Sequence, residues 1–178
     1  MFDPAGPVLG IDPGLSRCGY GAVMVTGARA HAVACGVIRT DKDHPLPDRL
    51  AELEAELADL VASLRPCAVA VERVLFQANA RTAISVGQAS GLALAVSSRA
   101  GVPVTQYSPN EVKLAVTGDG RAGKRGVQEM VTRMLRLAET PKPPDAADAL
   151  ALALCHVWRD RLGRAITRAE TRTTGAPA

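Results

Sequence analysis

The first third of the chain contains short apolar runs separated by turn residues, a pattern that predicts β-strands. Residues 8–11 form an apolar run that stops at the turn sequence Asp12-Pro13-Gly14. Residues 20–25 and 30–40 predict two more strands, joined by a turn near Gly27. Because the links between these segments are short, we expect the three strands to form an antiparallel meander.

Farther along, apolar residues spaced mostly three and four apart predict an amphipathic helix over residues 46–64, which ends at Arg65-Pro66. Residues 68–71 are then apolar without interruption, as in a buried strand, and this run stops at Glu72. A further strand is predicted over residues 102–107. The resulting strand–helix–strand order implies parallel pairing through a right-handed crossover.

The other segments predict helices and a tail. The predicted helices cover residues 82–100, 109–116, 124–137 and 145–162. Ser108-Pro109 offers an N-cap followed by proline at the first helical position. Residues 163–178 are mostly polar and predict a disordered tail, so we expect one α/β domain over residues 1–162.

Alanine, valine and leucine must supply most of the packing, because only five of the 178 residues are aromatic. Alanine-rich helices can approach a sheet closely, so the composition favours a mixed α/β fold over an aromatic-filled β-barrel. No apolar run reaches the roughly 18–20 residues that a membrane span needs, and the N-terminus shows no secretory signal pattern. The expected location is therefore the cytoplasm.

The cysteines and histidines do not have the spacing of metal ligands. They are Cys18, Cys35, Cys67, Cys155, His31, His44 and His156. Because they form no paired ligand motif, we expect no zinc site, and we predict that the cysteines are small buried thiols without a redox role.

Charge is distributed unevenly along the chain, whose net charge is +3. Residues 41–65 contain seven acids and three bases, whereas residues 113–136 contain six bases and two acids. This asymmetry fits a polyanion bound on one side of the domain, although solvated helix faces also explain charge of this kind. The basic segment includes Lys113, Arg121 and Lys124.

Two acids stand where predicted strands end: Asp12 follows the first apolar run, and Glu72 follows the buried one. If these strands are parallel neighbours, both carboxylates emerge at one sheet edge, where ligands of open α/β sheets bind. Each could also be an ordinary solvated strand end. Asp145 and Asp148, three apart at a helix start, share one helix face, but acids there also favour the helix dipole, so helix capping is the alternative.

Four carboxylates brought together would repel one another strongly unless cations lay among them. Oxygen ligands without His or Cys favour Mg²⁺ or Mn²⁺. Two such ions roughly 4 Å apart can activate water and stabilise the leaving oxygen of a phosphodiester. His156 lies about 12 Å beyond Asp148 along a helix, too far to share the same ion, so we predict a structural role for it.

Several short motifs occur in a fixed order between residues 8 and 158. They are Gly10-Ile11-Asp12-Pro13-Gly14 with Gly19-Tyr20-Gly21, Val71-Glu72, Asn79 followed by Gly87-Gln88-Ala89, Val112-Lys113, Lys124, and Asp145-Ala146-Ala147-Asp148-Ala149-Leu150. Each motif alone is weak, but their order and spacing together are specific. On these motifs the chain resembles the RuvC family of Holliday junction resolvases, within the ribonuclease H-like superfamily.

This resemblance implies a ribonuclease H-like five-stranded mixed sheet flanked by helices, with three antiparallel strands followed by parallel ones. It implies a homodimer that makes paired, symmetric, Mg²⁺-dependent nicks at four-way DNA junctions during recombination and repair. Each active site would hold one or two ions, and Mn²⁺ is a further candidate. The resemblance also implies work beside a branch-migration helicase assembly of the RuvA/RuvB type.

The family's catalytic acids coincide with four residues of this chain: Asp12, Glu72, Asp145 and Asp148. Lys113 and Lys124 fall on basic positions linked to DNA binding, and we expect Arg121 and Asn79 to contact DNA as well. A C₂ dimer would supply the two active sites that symmetric cuts need. The small-residue helix over 82–100 could form the dimer seam or could pack on the sheet.

One position departs from the family pattern. Similar members can carry an aromatic residue three positions after the catalytic Glu, thought to act as a wedge at the junction. Here Leu75 stands at that position, with Phe76 next to it. Either side chain could insert between bases, as apolar wedges do, and Phe76 could instead anchor a loop.

Three other functions remain open. A ribonuclease H-like nuclease acting on structured RNA would show a similar Asp-Pro-Gly start and carboxylate order. A sugar kinase or actin-like ATPase fragment also opens with a strand, an Asp and a glycine turn, but those folds need two duplicated domains around a nucleotide. A non-catalytic junction-binding protein is disfavoured, because no member of the acidic set is missing.

Overall fold

The computed structural model describes residues 6–74 and 80–174 of the chain. The predicted wedge residues Leu75 and Phe76 and the predicted DNA contact Asn79 lie outside these ranges. Within the described ranges, no helix has the length and apolar character needed to cross a membrane.

Five strands form one mixed sheet. They are β1 Val8–Asp12, β2 Arg17–Thr26, β3 Arg29–Arg39, β4 Ala68–Glu72 and β5 Val104–Tyr107. Their order across the sheet is β3-β2-β1-β4-β5. β1, β2 and β3 pair antiparallel, whereas β1 with β4 and β4 with β5 pair parallel. The predicted five-stranded mixed sheet is therefore confirmed.

β1 and β4 lie at the centre of the sheet, and their uninterrupted apolar sequences explain this position. A strand covered on both faces needs apolar side chains that point both ways, and residues 8–11 and 68–71 are all buried. In the parallel register, Ile11 lies beside Val71. Asp12 and Glu72, the next residue in each strand, therefore emerge at the same edge of the sheet.

Helices cover both faces of the sheet. They are α1 Leu46–Leu64, α2 Ala80–Arg99, α3 Pro109–Thr117, α4 Lys124–Met134 and α5 Pro144–Thr174. α1 and α2 bury Leu53, Leu57 and Ala93 in the core on one face. α5 packs on β1 and β2 from the other face, with α3 and α4 beside it.

Glycines in β1 and β2 allow α5 to approach the sheet closely. A Cβ atom at Gly10 would overlap the Ala149 carbonyl and would lie 2.8 Å from the Ala153 nitrogen. A Cβ atom at Gly19 would overlap the Asp145 carbonyl. Larger residues at these positions would push the helix away from the sheet, so the glycines determine where the start of α5 lies.

α4 ends earlier than the sequence pattern predicts, at Met134 rather than at residue 137. Arg136 adopts a left-handed backbone with φ of 53°. The Leu137 N–H then donates to the Thr132 carbonyl over 2.9 Å, which closes the helix end.

α5 ends later than the sequence pattern predicts. The prediction ended this helix at residue 162 and assigned residues 163–178 to a disordered tail, whereas the structure continues the helix to Thr174. Between Gly163 and Gly175 the sequence contains neither glycine nor proline. The segment therefore has no residue that would break a helix.

The four cysteines differ in their exposure to solvent. Cys18 and Cys155 are buried as predicted, and Cys67 is half-buried. The prediction is wrong for Cys35, which is exposed. Cys35 lies on the edge strand β3, where alternate residues, including Val33, point to solvent.

A polar network joins the end of β5 to α3 and α5. The Ser108 hydroxyl accepts from the Glu111 N–H over 3.3 Å, and the Glu111 carboxylate accepts from the Ser108 N–H over 2.9 Å, which confirms the predicted N-cap. Arg159 forms an ion pair with Glu111. The Tyr107 hydroxyl lies 3.0 Å from His156 Nδ1, and both side chains are buried. His156 therefore belongs to the core, as predicted.

We expect Gly10→Ala to lower the free energy of unfolding by about 2 kcal/mol or more, because the new methyl group must displace the α5 backbone. Gly126→Ala, on α4, is the matched control, since a Cβ there has no neighbour within 4 Å. It should raise stability by up to about 1 kcal/mol, the helix preference of alanine over glycine. Urea denaturation measures both values; equal effects would contradict the close approach.

The Glu111 carboxylate makes the stability of the fold depend on pH under acidic conditions. Hydrogen bonds from Ser108, together with the Arg159 guanidinium, lower the pKa of Glu111 from 4.5 to about 2. The ionised carboxylate therefore stabilises the fold above pH 4.5, and this contribution disappears as the pH falls towards 2. We expect Glu111→Gln to flatten the loss of stability over that window in urea denaturation at a series of pH values.

The control for this experiment is Glu129→Gln, which removes the same charge from an exposed ion pair with Arg125 on α4. It should keep the acid dependence of the wild type. If Glu111→Gln kept that dependence as well, the capping network would not be the source of the stability.

Candidate active site

Two of the predicted site residues lie at the ends of the central parallel strands. Asp12 is the last residue of β1 and Glu72 the last of β4, and both are partly buried. Their backbones are adjacent because β1 and β4 are paired in parallel up to Ile11 and Val71. The expectation that both carboxylates share one sheet edge is confirmed.

The other two predicted acids lie at the start of α5, over the same edge. Asp12 pairs with Gly19 across β1 and β2, and Gly19 is the residue on which the Asp145 backbone rests. The side chains of Asp145 and Asp148 are 23% and 25% exposed. The helix dipole favours acids in this first turn, but the packing also aims them at the sheet edge that carries Asp12.

Electrostatic repulsion shows that the four carboxylates act on one another. Burial, followed by repulsion from Glu72, Asp148 and Asp145, raises the pKa of Asp12 to about 7. Burial also raises the pKa of Glu72, with repulsion from Asp148 next in size. Lys124 opposes the shift at both residues. The site therefore holds more negative charge than its own surroundings neutralise.

Two cationic side chains contact the acids of α5. Lys124 Nζ, at the start of α4, lies 2.8 Å from Asp148 Oδ2. Arg17, at the start of β2, forms an ion pair with Asp145 through Nη2 and Oδ2. Sequence reasoning identified Lys124 but missed Arg17. No local pattern marks Arg17, because its partner lies far along the chain and reaches it only through the docking of α5.

A cleft of about 360 Å³ opens beside the acids. Its lining residues are Asp12, Glu72, Pro109, Val112, Lys113, Lys124, Val127, Asp148, Ala151 and Leu152. Lys113 and Lys124 thus reach the site, as the sequence suggested, whereas Arg121 is exposed in the loop before α4 and does not line the cleft. A larger cleft of about 630 Å³, where α1 and α2 end, has no acid in its lining.

The donor set of the site fits a hard divalent cation. Within residues 6–74 and 80–174, no three Asp, Glu, His or Cys side chains are arranged as a metal site. Asp145 and Asp148 each contact a cationic side chain. Carboxylate oxygens are the ligands that Mg²⁺ and Mn²⁺ prefer. Positive charge at this point would relieve the repulsion that, after burial, raises the pKa of Asp12.

Comparison with known proteins gives consistent matches over nearly the whole chain. The sequence model of the family described as Crossover junction endodeoxyribonuclease RuvC matches residues 8–156. A relative of that name from Salinispora arenicola is 56% identical over 167 residues, which cover 91% of this chain and 95% of the relative. One from Frankia casuarinae is 49% identical over 171 residues, which cover 96% of this chain and 98% of the relative.

Solved structures agree with the sequence matches. A structure of T. thermophilus RuvC in complex with Holliday junction substrate is 40% identical, with a TM-score of 0.84 over 89% of this chain and 96% of that one. The yeast mitochondrial Holliday junction resolvase Ydc2 is 17% identical with a TM-score of 0.65, which shows likeness of fold alone. The matched residues 8–156 include all four acids of the site. The chain belongs to the RuvC family of crossover junction endodeoxyribonucleases.

Proposed function

We propose that this chain is a structure-specific endonuclease that resolves four-way DNA junctions by paired, symmetric, metal-dependent nicks during recombination and repair. The observation that carries this proposal is the convergence of four carboxylates from β1, β4 and α5 in a member of the RuvC family. Similarity to T. thermophilus RuvC, which was solved with a Holliday junction, supports the choice of substrate. We further propose that residues 1–162 form the nuclease domain.

The metal ligands in this proposal are Asp12, Glu72, Asp145 and Asp148, which would hold one or two Mg²⁺ or Mn²⁺ ions. Bound there, such ions supply Lewis-acid chemistry that activates water and stabilises the leaving oxygen of the phosphodiester. The protein's own contribution is to position the carboxylate oxygens that would bind the ions. Pairing of β1 with β4 places two of the oxygen donors, and docking of α5 on the glycines of the sheet places the other two.

The proposed DNA-binding residues include basic side chains in the cleft and outside it. Lys113 and Lys124 line the cleft with the carboxylates and would neutralise phosphate charge beside the scissile bond. Arg121, in the exposed loop before α4, would contact the DNA backbone farther out. Leu75 and Phe76 are proposed as the junction wedge, and Asn79 as a further DNA contact.

Symmetric cutting requires two active sites, so we propose a homodimer. The outward side of α2 offers a seam: Ile84 is 63% exposed, and a Cβ at Gly87 or Gly91 would meet no atom within 4 Å. Small residues of this kind let two helices approach closely.

Two further statements stay predictions from the sequence. One is a partnership with a branch-migration helicase assembly of the RuvA/RuvB type, and the other is a location in the cytoplasm.

The central experiment is cleavage of a synthetic four-way DNA junction with mapped cut sites, in Mg²⁺, in Mn²⁺ and in EDTA. We expect symmetric nicks in two opposed strands, and none in EDTA. Structured RNA is the competing substrate, and faster cutting of RNA would favour the other ribonuclease H-like function.

We expect Asp12→Asn to lower the rate of junction cutting by more than about 100-fold, while junction binding persists. Loss of a residue that only supports a metal ligand costs about 10- to 100-fold, and loss of a ligand itself should cost more.

The same substitution should change how stability depends on pH. Because burial and repulsion raise the pKa of Asp12 to about 7, the stability attributable to this group falls as the pH rises from about 4 to 7. The substitution should therefore raise the thermal midpoint more at pH 8 than at pH 5.

Asp59→Asn, on the exposed side of α1, is the control with the same charge change. It should alter neither the rate of junction cutting nor the difference between the thermal midpoints at pH 8 and pH 5. Wild-type cutting by Asp12→Asn would exclude this residue from the site.

We expect Lys124→Ala to weaken junction binding and to reduce the slope of log affinity against log salt concentration by about one unit, through loss of a phosphate contact. Arg29→Ala removes the same charge at the opposite end of the sheet, where β3 begins, and should leave the slope unchanged. Fluorescence anisotropy in EDTA measures both. Equal slopes for the two variants would argue against a contact at Lys124.

A further inference from the structure

Arg17 contacts the site but belongs neither to the four acids nor to the residues proposed to bind DNA. It is the first residue of β2, and its guanidinium is paired with Asp145 of α5. The Arg17 side chain is 45% exposed, whereas Asp145 is 23% exposed. The pair therefore lies at the rim of the site, with the arginine on the solvent side, where it can leave without unpacking the core.

The pairs Arg17–Asp145 and Lys124–Asp148 together neutralise the acids of α5. One cation comes from the sheet and the other from α4. A carboxylate that holds a guanidinium has less negative charge to offer a metal ion. A divalent cation and a guanidinium on the same carboxylate would also repel each other. Binding of an ion through Asp145 therefore competes with Arg17.

A second arginine, on the neighbouring strand β3, increases the need for a negative charge beside Arg17. Arg17 lies directly opposite Arg39 in the β2–β3 pairing, and both residues are exposed. Side chains directly opposite in an antiparallel pair lie on the same face, and like charges there destabilise the pair. An anion beside Arg17 offsets this repulsion, and Asp145 supplies it. The contact between Arg17 and Asp145 thus reduces the repulsion between Arg17 and Arg39.

We infer that Arg17 is an exchangeable counter-cation, which holds Asp145 in the metal-free enzyme and must release it when a divalent ion binds. This inference rests on the proposed metal-dependent function, because it assigns Asp145 to the metal. Its consequence is that the metal-free site has a lower affinity for cations than its four carboxylates alone would give. Removing the guanidinium should strengthen metal binding, the opposite of the usual result of mutating an active-site residue.

The test measures Mn²⁺ binding to DNA-free protein by electron paramagnetic resonance or calorimetry at low salt. For Arg17→Gln we expect binding about fivefold tighter than for the wild type, equivalent to about 1 kcal/mol for a partly exposed ion pair. Arg17→Lys keeps the charge and should bind Mn²⁺ nearly as weakly as the wild type. Thermal unfolding of each variant checks that the fold is retained.

Arg125→Gln is the matched control, because it removes the same charge from the residue next to Lys124 while breaking only an exposed pair with Glu129. Its Mn²⁺ affinity should equal that of the wild type. An equal gain for Arg17→Gln and Arg125→Gln would overturn the inference, since general charge would explain it. Unchanged or weaker Mn²⁺ binding by Arg17→Gln would overturn it too.

Junction cutting by the wild type, assayed in parallel, separates this inference from the proposed function. A wild type that cuts junctions with Mn²⁺, beside an Arg17→Gln variant with no tighter binding, contradicts the inference alone. A wild type that neither binds Mn²⁺ nor cuts junctions contradicts both.

Discussion

The site depends on the close contact between α5 and the sheet. Gly10 and Gly19 leave no side chain between the strand backbones and the carbonyls of Ala149 and Asp145. On the helix side, Ala146, Ala147 and Ala149 are fully buried. Small residues on both surfaces let the two backbones meet, and this contact carries the first turn of α5 to the edge where β1 and β4 end. Without it, the acids of the helix would lie away from those of the strands.

The same contact creates an electrostatic problem that the surrounding elements solve in part. Four carboxylates come together, and two are buried enough for their pKa values to rise. Arg17 from β2 and Lys124 from α4 each contact one acid of α5. These cationic side chains neutralise part of the cluster at its rim, and the charge that remains at Asp12 and Glu72 is available for a bound cation.

The sequence predicts the strands and the acids at their ends well, because those features depend on local pattern. The uninterrupted apolar runs before Asp12 and Glu72 mark the two central strands, and Ser108-Pro109 marks the start of α3. Contacts between distant segments were harder to predict. The partner of Arg17 depends on how α5 docks, and exposure of Cys35 depends on β3 being an edge strand. The end of α4 depends on the left-handed backbone of Arg136, which no residue preference indicates.

The order of the elements has a consequence for synthesis of the protein. β1 is made first and α5 last, yet each supplies part of the same acidic cluster. A ribosome makes the chain from its N-terminus at about 5–20 residues per second. A nascent chain that still lacks α5 carries only Asp12 and Glu72, and it also lacks the helix that covers one face of its sheet. The cluster is therefore complete only when nearly the whole chain has been made.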